Sequence, residues 1–186
     1  MDKYVESVLS DIDKFSPKKL VVVAHSISGN IGLEITRLRQ NRIYGFIAIS
    51  AAIPSVNSSY ISSLPFITNM FLRLVFRLTG TRPPESAIRN GLCNDLNEKQ
   101  TLEVINNFMP ESEKLYTDKL KTKSISVNSL YVRLKKDKAF SETIQNRMIA
   151  NLHAKQIVDI DSGHLPMLST PDELAHILNR FSTQLN

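Results

Sequence analysis

Cysteine is almost absent from the sequence: Cys93 stands alone among 186 residues. A single cysteine excludes an internal disulfide framework and a thiolate metal cluster, and it is typical of a reducing compartment. We therefore expect a cytoplasmic protein, and we expect neither a metal ion nor any other cofactor.

Long apolar runs are absent as well. Residues 60–80 form the most apolar segment, but Pro65, Arg73 and Arg77 interrupt it, well short of the roughly 18 apolar residues that a membrane span requires. The N-terminus, residues 1–15, is amphipathic and lacks the apolar stretch and cleavage site of a secretory signal. The sequence thus predicts a soluble helix with one apolar face at 60–80, and membrane contact is disfavoured.

The basic residues show no pattern typical of nucleic-acid binding. The net charge is +5 and the isoelectric point is near 9.3, but the lysines and arginines lie in short mixed groups such as 121–123 and 135–138. No interleaved aromatic residues and no DNA-binding motif accompany them. We interpret these groups as solvated faces and expect no nucleic-acid partner.

Apolar runs alternate with helical periodicity along much of the chain. A hydrophobic content of 42% in 186 residues is sufficient for one sizeable core. Continuous apolar runs such as residues 20–23, which include three consecutive valines, are typical of parallel strands that are covered on both faces. The pattern predicts an α/β fold with about four parallel strands in sequential order, flanked by helices. The predicted strands are 19–25, 42–52, 127–134 and 155–161, and the clearest predicted helices are 2–15, 141–152 and 171–181.

The connection between the second and third predicted strands is unusually long. It spans residues 54–123, and its periodicity is helical and irregular. A segment of this length exceeds ordinary loops and is expected to carry structure of its own. We therefore predict a core formed by residues 1–53 and 124–186, with a helical cap inserted at 54–123.

A serine follows the first predicted strand directly, in the stretch LVVVAHSISG. A strand, a sharp turn with serine at its apex and a following helix form a nucleophile elbow, whose usual signature is G-x-S-x-G. Here Ala24 and Ser28 occupy the glycine positions and Gly29 comes next, so the motif is a relaxed version. On this stretch alone, a serine that merely caps the following helix is an equal alternative.

The partners that a nucleophilic serine needs occur later in the chain. A serine hydroxyl requires a histidine to accept its proton and a carboxylate to orient that histidine. In a sheet of this kind the order is serine, acid, histidine. Asp137 follows the third predicted strand and His164 follows the fourth, so both lie where such partners are required.

Three separate stretches resemble the α/β-hydrolase superfamily. VVVAHSISGNIGLEI resembles its elbow and following helix, SLYVRLKKDKAFSETIQ its acid-bearing strand and loop, and DSGHLPMLSTPDELAHIL its histidine loop and closing helix. The histidine stretch is the most specific of the three. Plant methylesterases and hydroxynitrile lyases are similar to this sequence in two further features, the Asp-Lys pair after the acid strand and the short cap.

The resemblance implies a role for each candidate residue. Ser26 corresponds to the nucleophile, His164 to the general base and acid, and Asp137 to the orienting carboxylate. The main-chain N–H of Ile27 corresponds to an oxyanion donor. Asp161, three residues before His164, remains an alternative acid.

The expected substrate is a small apolar ester or related acyl compound. Candidate substrate-binding residues are His25 beside the serine, Leu165 beside the histidine, and Phe66 and Phe71 in the cap. The expected reaction is ester hydrolysis through an acyl-enzyme.

Part of the family pattern has no counterpart in this sequence. No His-Gly pair, which often supplies a second oxyanion N–H, precedes the elbow, and the sequence resembles the C-terminal portion of a hydrolase. The elbow strand is therefore expected at a sheet edge, where a partner chain or a second copy could pair with it. This leaves two alternatives open: a catalytically silent relative that binds a ligand or partner, and a hydroxynitrile-lyase-like enzyme.

Overall fold

Four parallel strands form one sheet in the computed structural model, which describes residues 1–15, 18–121 and 125–185. The strands are β1 (Leu20–His25), β2 (Ile43–Ile49), β3 (Asn128–Leu134) and β4 (Gln156–Ile160). They lie in the order β1-β2-β3-β4, so sequential strands are neighbours. The predicted number, direction and order of the strands are confirmed.

Helices flank this sheet and fill the connection between β2 and β3. The helices of the described residues are α1 (Asp2–Phe15), α2 (Gly29–Leu38), α3 (Phe66–Thr79), α4 (Glu85–Ala87), α5 (Glu98–Asn107), α6 (Lys114–Thr117), α7 (Glu142–Leu152), α8 (Pro166–Ser169) and α9 (Pro171–Thr183). None of them is long and apolar enough to cross a membrane.

The core has two layers because successive side chains of β2 point to opposite faces of the sheet. On one face, Phe46 and Ala48 pack in a cluster that includes residues of α1, α2 and α7. On the other face, Ile47 and Ile49 pack in a cluster that includes the apolar side of α9. The central strand β2 is thus covered on both faces, as is typical of a parallel sheet.

The connection between β2 and β3 contains helices α3 to α6, and residues 54–121 of this connection are termed the insertion below. A π-helical turn, Ile88–Leu92, joins α4 to the segment before α5. Ile88, Cys93 and Ile105 form a small buried cluster within the insertion. The helical character predicted for this segment is therefore confirmed.

The carboxyl ends of the four strands meet at one edge of the sheet, as they must in a parallel arrangement. Ser26 follows β1 directly, and Ser50 follows β2. Asp137 comes three residues after β3, and His164 comes four residues after β4. One polar side chain therefore follows each strand at the carboxyl edge of the sheet.

Candidate active site

Ser26 occupies a strained turn between β1 and α2. Its φ angle is 53°, in the left-handed region that non-glycine residues seldom adopt. Ser28 bridges this turn, since its hydroxyl donates to the His25 carbonyl at 2.7 Å and accepts from the His25 N–H at 3.0 Å. A Cβ atom on Gly29 would clash with the Ala52 carbonyl oxygen, so glycine is needed where α2 approaches the backbone after β2.

His164 lies within hydrogen-bond distance of Ser26. Its Nε2 atom is 2.9 Å from the Ser26 Oγ atom, and its Nδ1 atom is 2.7 Å from Asp137 Oδ2. Because an ionised carboxylate can only accept, Nδ1 carries the hydrogen, and Nε2 of the neutral ring accepts from the Ser26 hydroxyl. His164 as a whole is 2% exposed, so packing as well as hydrogen bonds fixes the orientation of its ring.

Asp137 is a fully buried carboxylate with donors on both oxygens. Oδ2 accepts from His164 and from the Ser50 hydroxyl at 2.7 Å, and Oδ1 accepts from the N–H groups of Ala139 and Phe140 at 2.8 Å. Burial alone raises the pKa of Asp137, but the contacts with His164, Phe140 and Ser50 outweigh it and hold that pKa below its usual value. The carboxylate is thus kept ionised as an acceptor for the imidazole.

The alternative acid, Asp161, lies elsewhere. Its side chain is 61% exposed and pairs with Lys136 at 2.7 Å, which lowers the pKa of Asp161. The structure therefore brings Asp137, and not Asp161, to His164.

His25 lies beside this arrangement and contacts the backbone of the histidine loop. Its Nε2–H donates to the His164 carbonyl at 2.7 Å, and the two rings lie 4.8 Å apart. Burial, followed by repulsion from His164, lowers the pKa of His25 to about 4. His25 therefore remains neutral at physiological pH and serves as a donor to the loop.

A cavity of about 370 Å³ opens above Ser26. Much of its wall is apolar, while Tyr60, Tyr116 and Glu111 add polar groups. It is lined by His25, Ser26, Ile27, Ser28, Tyr60, Pro83, Leu92, Phe108, Met109, Glu111, Tyr116, Ala139, Phe140, His164 and Leu165. Residues of the insertion and of the sheet edge thus enclose the same space.

Two of the predicted substrate-binding residues require correction. Phe66 and Phe71 are 77% and 63% exposed and do not line the cavity. The reason is that α3 lies one layer behind the cavity wall. Phe76, on the inner side of α3, packs against Tyr116 with ring centres 5.0 Å apart, and it is Tyr116 that lines the cavity. His25, Ile27 and Leu165 do line the cavity.

Several residues at the site were not expected from the sequence. Ser50 interrupts the second apolar run and directly follows β2. This signal could have been noticed, since polar residues at the carboxyl ends of parallel strands often serve a site. Tyr60 stacks on Phe140 with ring centres 5.1 Å apart, and Phe140 in turn lies 5.6 Å from the His164 ring. No local sequence signal marks the aromatic residues, because their positions depend on long-range packing.

Within residues 1–15, 18–121 and 125–185, no three or more His, Cys, Asp or Glu side chains are grouped so that they could hold a metal ion.

Known structures resemble this chain over nearly its whole length. An extracellular α/β-hydrolase from a Paenibacillus species superposes with a TM-score of 0.82 at 18% identity, covering 95% of this chain and 77% of that one. The Arabidopsis methylesterase MES16 gives 0.76 at 20% identity, covering 98% and 78%. The pyrethroid hydrolase PytH gives 0.74 at 16% identity, covering 95% and 75%. These likenesses describe the fold.

No curated protein matches the amino-acid sequence significantly. The model of the alpha/beta hydrolase family matches residues 2–177, a range that includes all four strands and the residues gathered at their carboxyl ends. The chain therefore belongs to the alpha/beta hydrolase family.

Proposed function

We propose that this protein is a carboxylic ester hydrolase that acts on small, largely apolar acyl substrates through an acyl-enzyme. The observation that carries the proposal is the chain of hydrogen bonds from Ser26 through His164 to Asp137 at the floor of the cavity. Serine hydrolysis needs these groups in this order. Two of the similar structures are described as a methylesterase and a hydrolase, which agrees with this class of reaction.

In the proposed first half-reaction, the Ser26 oxygen attacks the ester carbonyl carbon while His164 Nε2 takes the hydroxyl proton. Asp137 stabilises the imidazolium that forms, and it remains ionised. The Ile27 N–H is the proposed donor to the oxyanion. When the tetrahedral intermediate collapses, His164 gives the proton to the leaving alcohol and the acyl group remains on Ser26.

In the second half-reaction, water attacks the acyl-enzyme and His164 again acts as base. The proton passes to Nε2 and then returns to Ser26 as the carboxylic acid leaves. The atoms balance as ester plus water giving alcohol plus acid. His25 is the proposed support of the histidine loop throughout, because its N–H holds the His164 carbonyl.

The residues that line the cavity favour a substrate with an uncharged acyl group. Ile27, Leu92, Phe108, Met109 and Leu165 supply apolar surface. Glu111 lines the same space, and its carboxylate accepts from the Tyr116 hydroxyl at 2.7 Å. A substrate that carried a carboxylate of its own would be repelled by Glu111. The insertion, which supplies several of these residues, is the proposed cap over the site.

A fluorophosphonate probe and p-nitrophenyl acetate test the proposal together. We expect the probe to label the wild-type chain but not a Ser26→Ala variant, and we expect wild-type turnover to exceed that of the variant by at least about 10³-fold. A folded wild-type sample that is not labelled would refute the proposal and favour a silent binding protein. Labelling without ester turnover would instead point to lyase chemistry at the same serine.

A further inference from the structure

Two adjacent side chains of the insertion contact the loops that carry Asp137 and His164. The Asn94 amide donates from Nδ2 to the Lys136 carbonyl at 3.0 Å. The Asp95 carboxylate accepts from the Gly163 N–H through Oδ2 at 2.5 Å. Lys136 directly precedes the acid and Gly163 directly precedes the histidine, so one turn of the insertion contacts both.

The histidine loop is shaped to receive Asp95. A Cβ atom at position 163 would collide with the Asp95 carboxylate, so the close approach requires glycine there. The two loops are also joined to each other, because the Lys136 N–H donates to the Ser162 carbonyl at 3.0 Å. Asn94 and Asp95 therefore bind a unit in which the acid and histidine loops already contact each other.

The contact of Asn94 and Asp95 with the two loops buries polar atoms at a cost in folding free energy, so a gain in stability does not account for it. Asn94 Oδ1 and Asp95 Oδ1 are buried and have no hydrogen-bond partner among the described residues. Leaving a buried polar oxygen unsatisfied is destabilising, and such groups concentrate where function imposes them. The π-helical turn that ends at Leu92, just before this pair, is a further irregularity of a kind found often at functional sites.

We propose that Asn94 and Asp95 are positioning residues for the acid and the histidine. They fix the main chain before Asp137 and before His164, and so keep the imidazole between the carboxylate and the Ser26 hydroxyl. They also make the geometry of these groups depend on the position of the insertion. The proposal rests on the proposed ester hydrolase function.

Four variants test this role. Asp95→Ala and Asn94→Ala remove the two contacts, and Asp95→Asn keeps an oxygen that can accept from the Gly163 N–H. Asn97→Ala is the matched control, because Asn97 lies in the same segment and its side chain caps α5 by accepting from the Gln100 N–H. Within the described residues, its side chain makes no hydrogen bond to either catalytic loop. For each variant, kcat and KM with p-nitrophenyl acetate are measured together with thermal unfolding.

The His164 Nδ1–H proton resonance supplies a readout that does not require turnover. Because Nδ1–H donates a hydrogen bond to Asp137, the downfield NMR signal of this proton reports the geometry of the pair in a resting sample. If the wild-type chain hydrolyses no ester, the proposed function fails while the positioning role is still tested by this signal.

We expect Asp95→Ala to lower kcat by about 10- to 100-fold and to change KM less than threefold, because a small misplacement of catalytic groups lowers the rate of the chemical step. The Nδ1–H signal should shift or broaden in Asp95→Ala. Asp95→Asn should have kcat and an Nδ1–H signal close to those of the wild type, and Asn97→Ala should change neither kcat nor the signal. If the signal and kcat of Asp95→Ala match those of Asn97→Ala, the proposal is overturned. Should Asp95→Ala fail to fold, Asn94→Ala decides in the same way.

Discussion

At the scale of single residues, Asp137 shows how a buried charge is maintained in this protein. A carboxylate removed from water is costly unless its lone pairs are satisfied. Asp137 receives two main-chain donors, the His164 ring and the Ser50 hydroxyl. Ser50 itself has a φ angle of 36°, so a strained residue supplies one of the four donors.

Removal of the Ser50 hydroxyl is the first prediction at this scale. Ser50→Ala leaves one lone pair of Asp137 unpaired, and a hydrogen bond to a charged group contributes roughly 1.5–3 kcal/mol. We expect the unfolding free energy to fall by about that amount and kcat for p-nitrophenyl acetate to fall about tenfold. Ser59→Ala is the control, because Ser59 is equally buried but bonds Ser62. Equal kcat values for the two variants would contradict this role for Ser50.

The second residue-scale prediction concerns His25 and acid. Its pKa is lowered from 6.5 to about 4, chiefly by burial, so between those values the unfolded chain binds a proton that the folded chain does not. Stability therefore falls as pH drops through this window, by roughly 1–3 kcal/mol. Urea unfolding at about pH 7.5 and about pH 4.5 measures the effect, and His25→Gln should lose less stability over this interval than the wild type. An identical loss in both proteins would exclude His25 as the source.

At the scale of elements, the approach of α2 to the segment after β2 determines the turn at Ser26. Gly29 begins α2 and lies against the backbone of Ala52, and the Ala52 N–H donates to the Ser26 carbonyl at 2.8 Å. The helix, the turn and the segment after β2 are thus joined where the nucleophile candidate lies.

Gly29→Ala tests this junction. The added Cβ would meet a carbonyl oxygen that cannot move without disturbing the turn, so we expect a loss of about 2–4 kcal/mol in unfolding free energy and of probe labelling at Ser26. Gly91→Ala is a matched control, since its Cβ would meet nothing within 4 Å. A Gly29→Ala protein as stable as Gly91→Ala would show that α2 and the Ala52 backbone can separate without cost.

The elements also show what the sequence could and could not predict. The strands were predictable because apolar residues are concentrated in each of them, and the positions of Asp137 and His164 were predictable because each residue follows such a strand. Phe66 and Phe71 were misplaced because helical periodicity indicates an apolar face without showing what covers it. The contacts of Ser50 and Asp95 join residues 87 and 68 positions apart, and no local pattern encodes such pairings.

At the scale of the whole molecule, the sheet leaves its two edge strands, β1 and β4, without a neighbour on their outer sides in the part of the chain that the structure describes. β1 lies at one edge and is paired with β2 alone. Val23 in the middle of β1 is 48% exposed. Such an apolar edge favours pairing with another strand, which supports the prediction of association through β1.

Val23→Lys tests that association, because a lysine on an edge strand opposes strand pairing. We expect the wild-type chain to show a concentration-dependent increase in mass by light scattering, and we expect Val23→Lys to shift this increase to at least about tenfold higher concentration. Leu102→Lys is the matched control: Leu102 is 42% exposed on α5 and gains the same charge away from the sheet. An equal effect of both substitutions would attribute association to general surface charge, and a wild-type chain that stays monomeric would exclude pairing through β1.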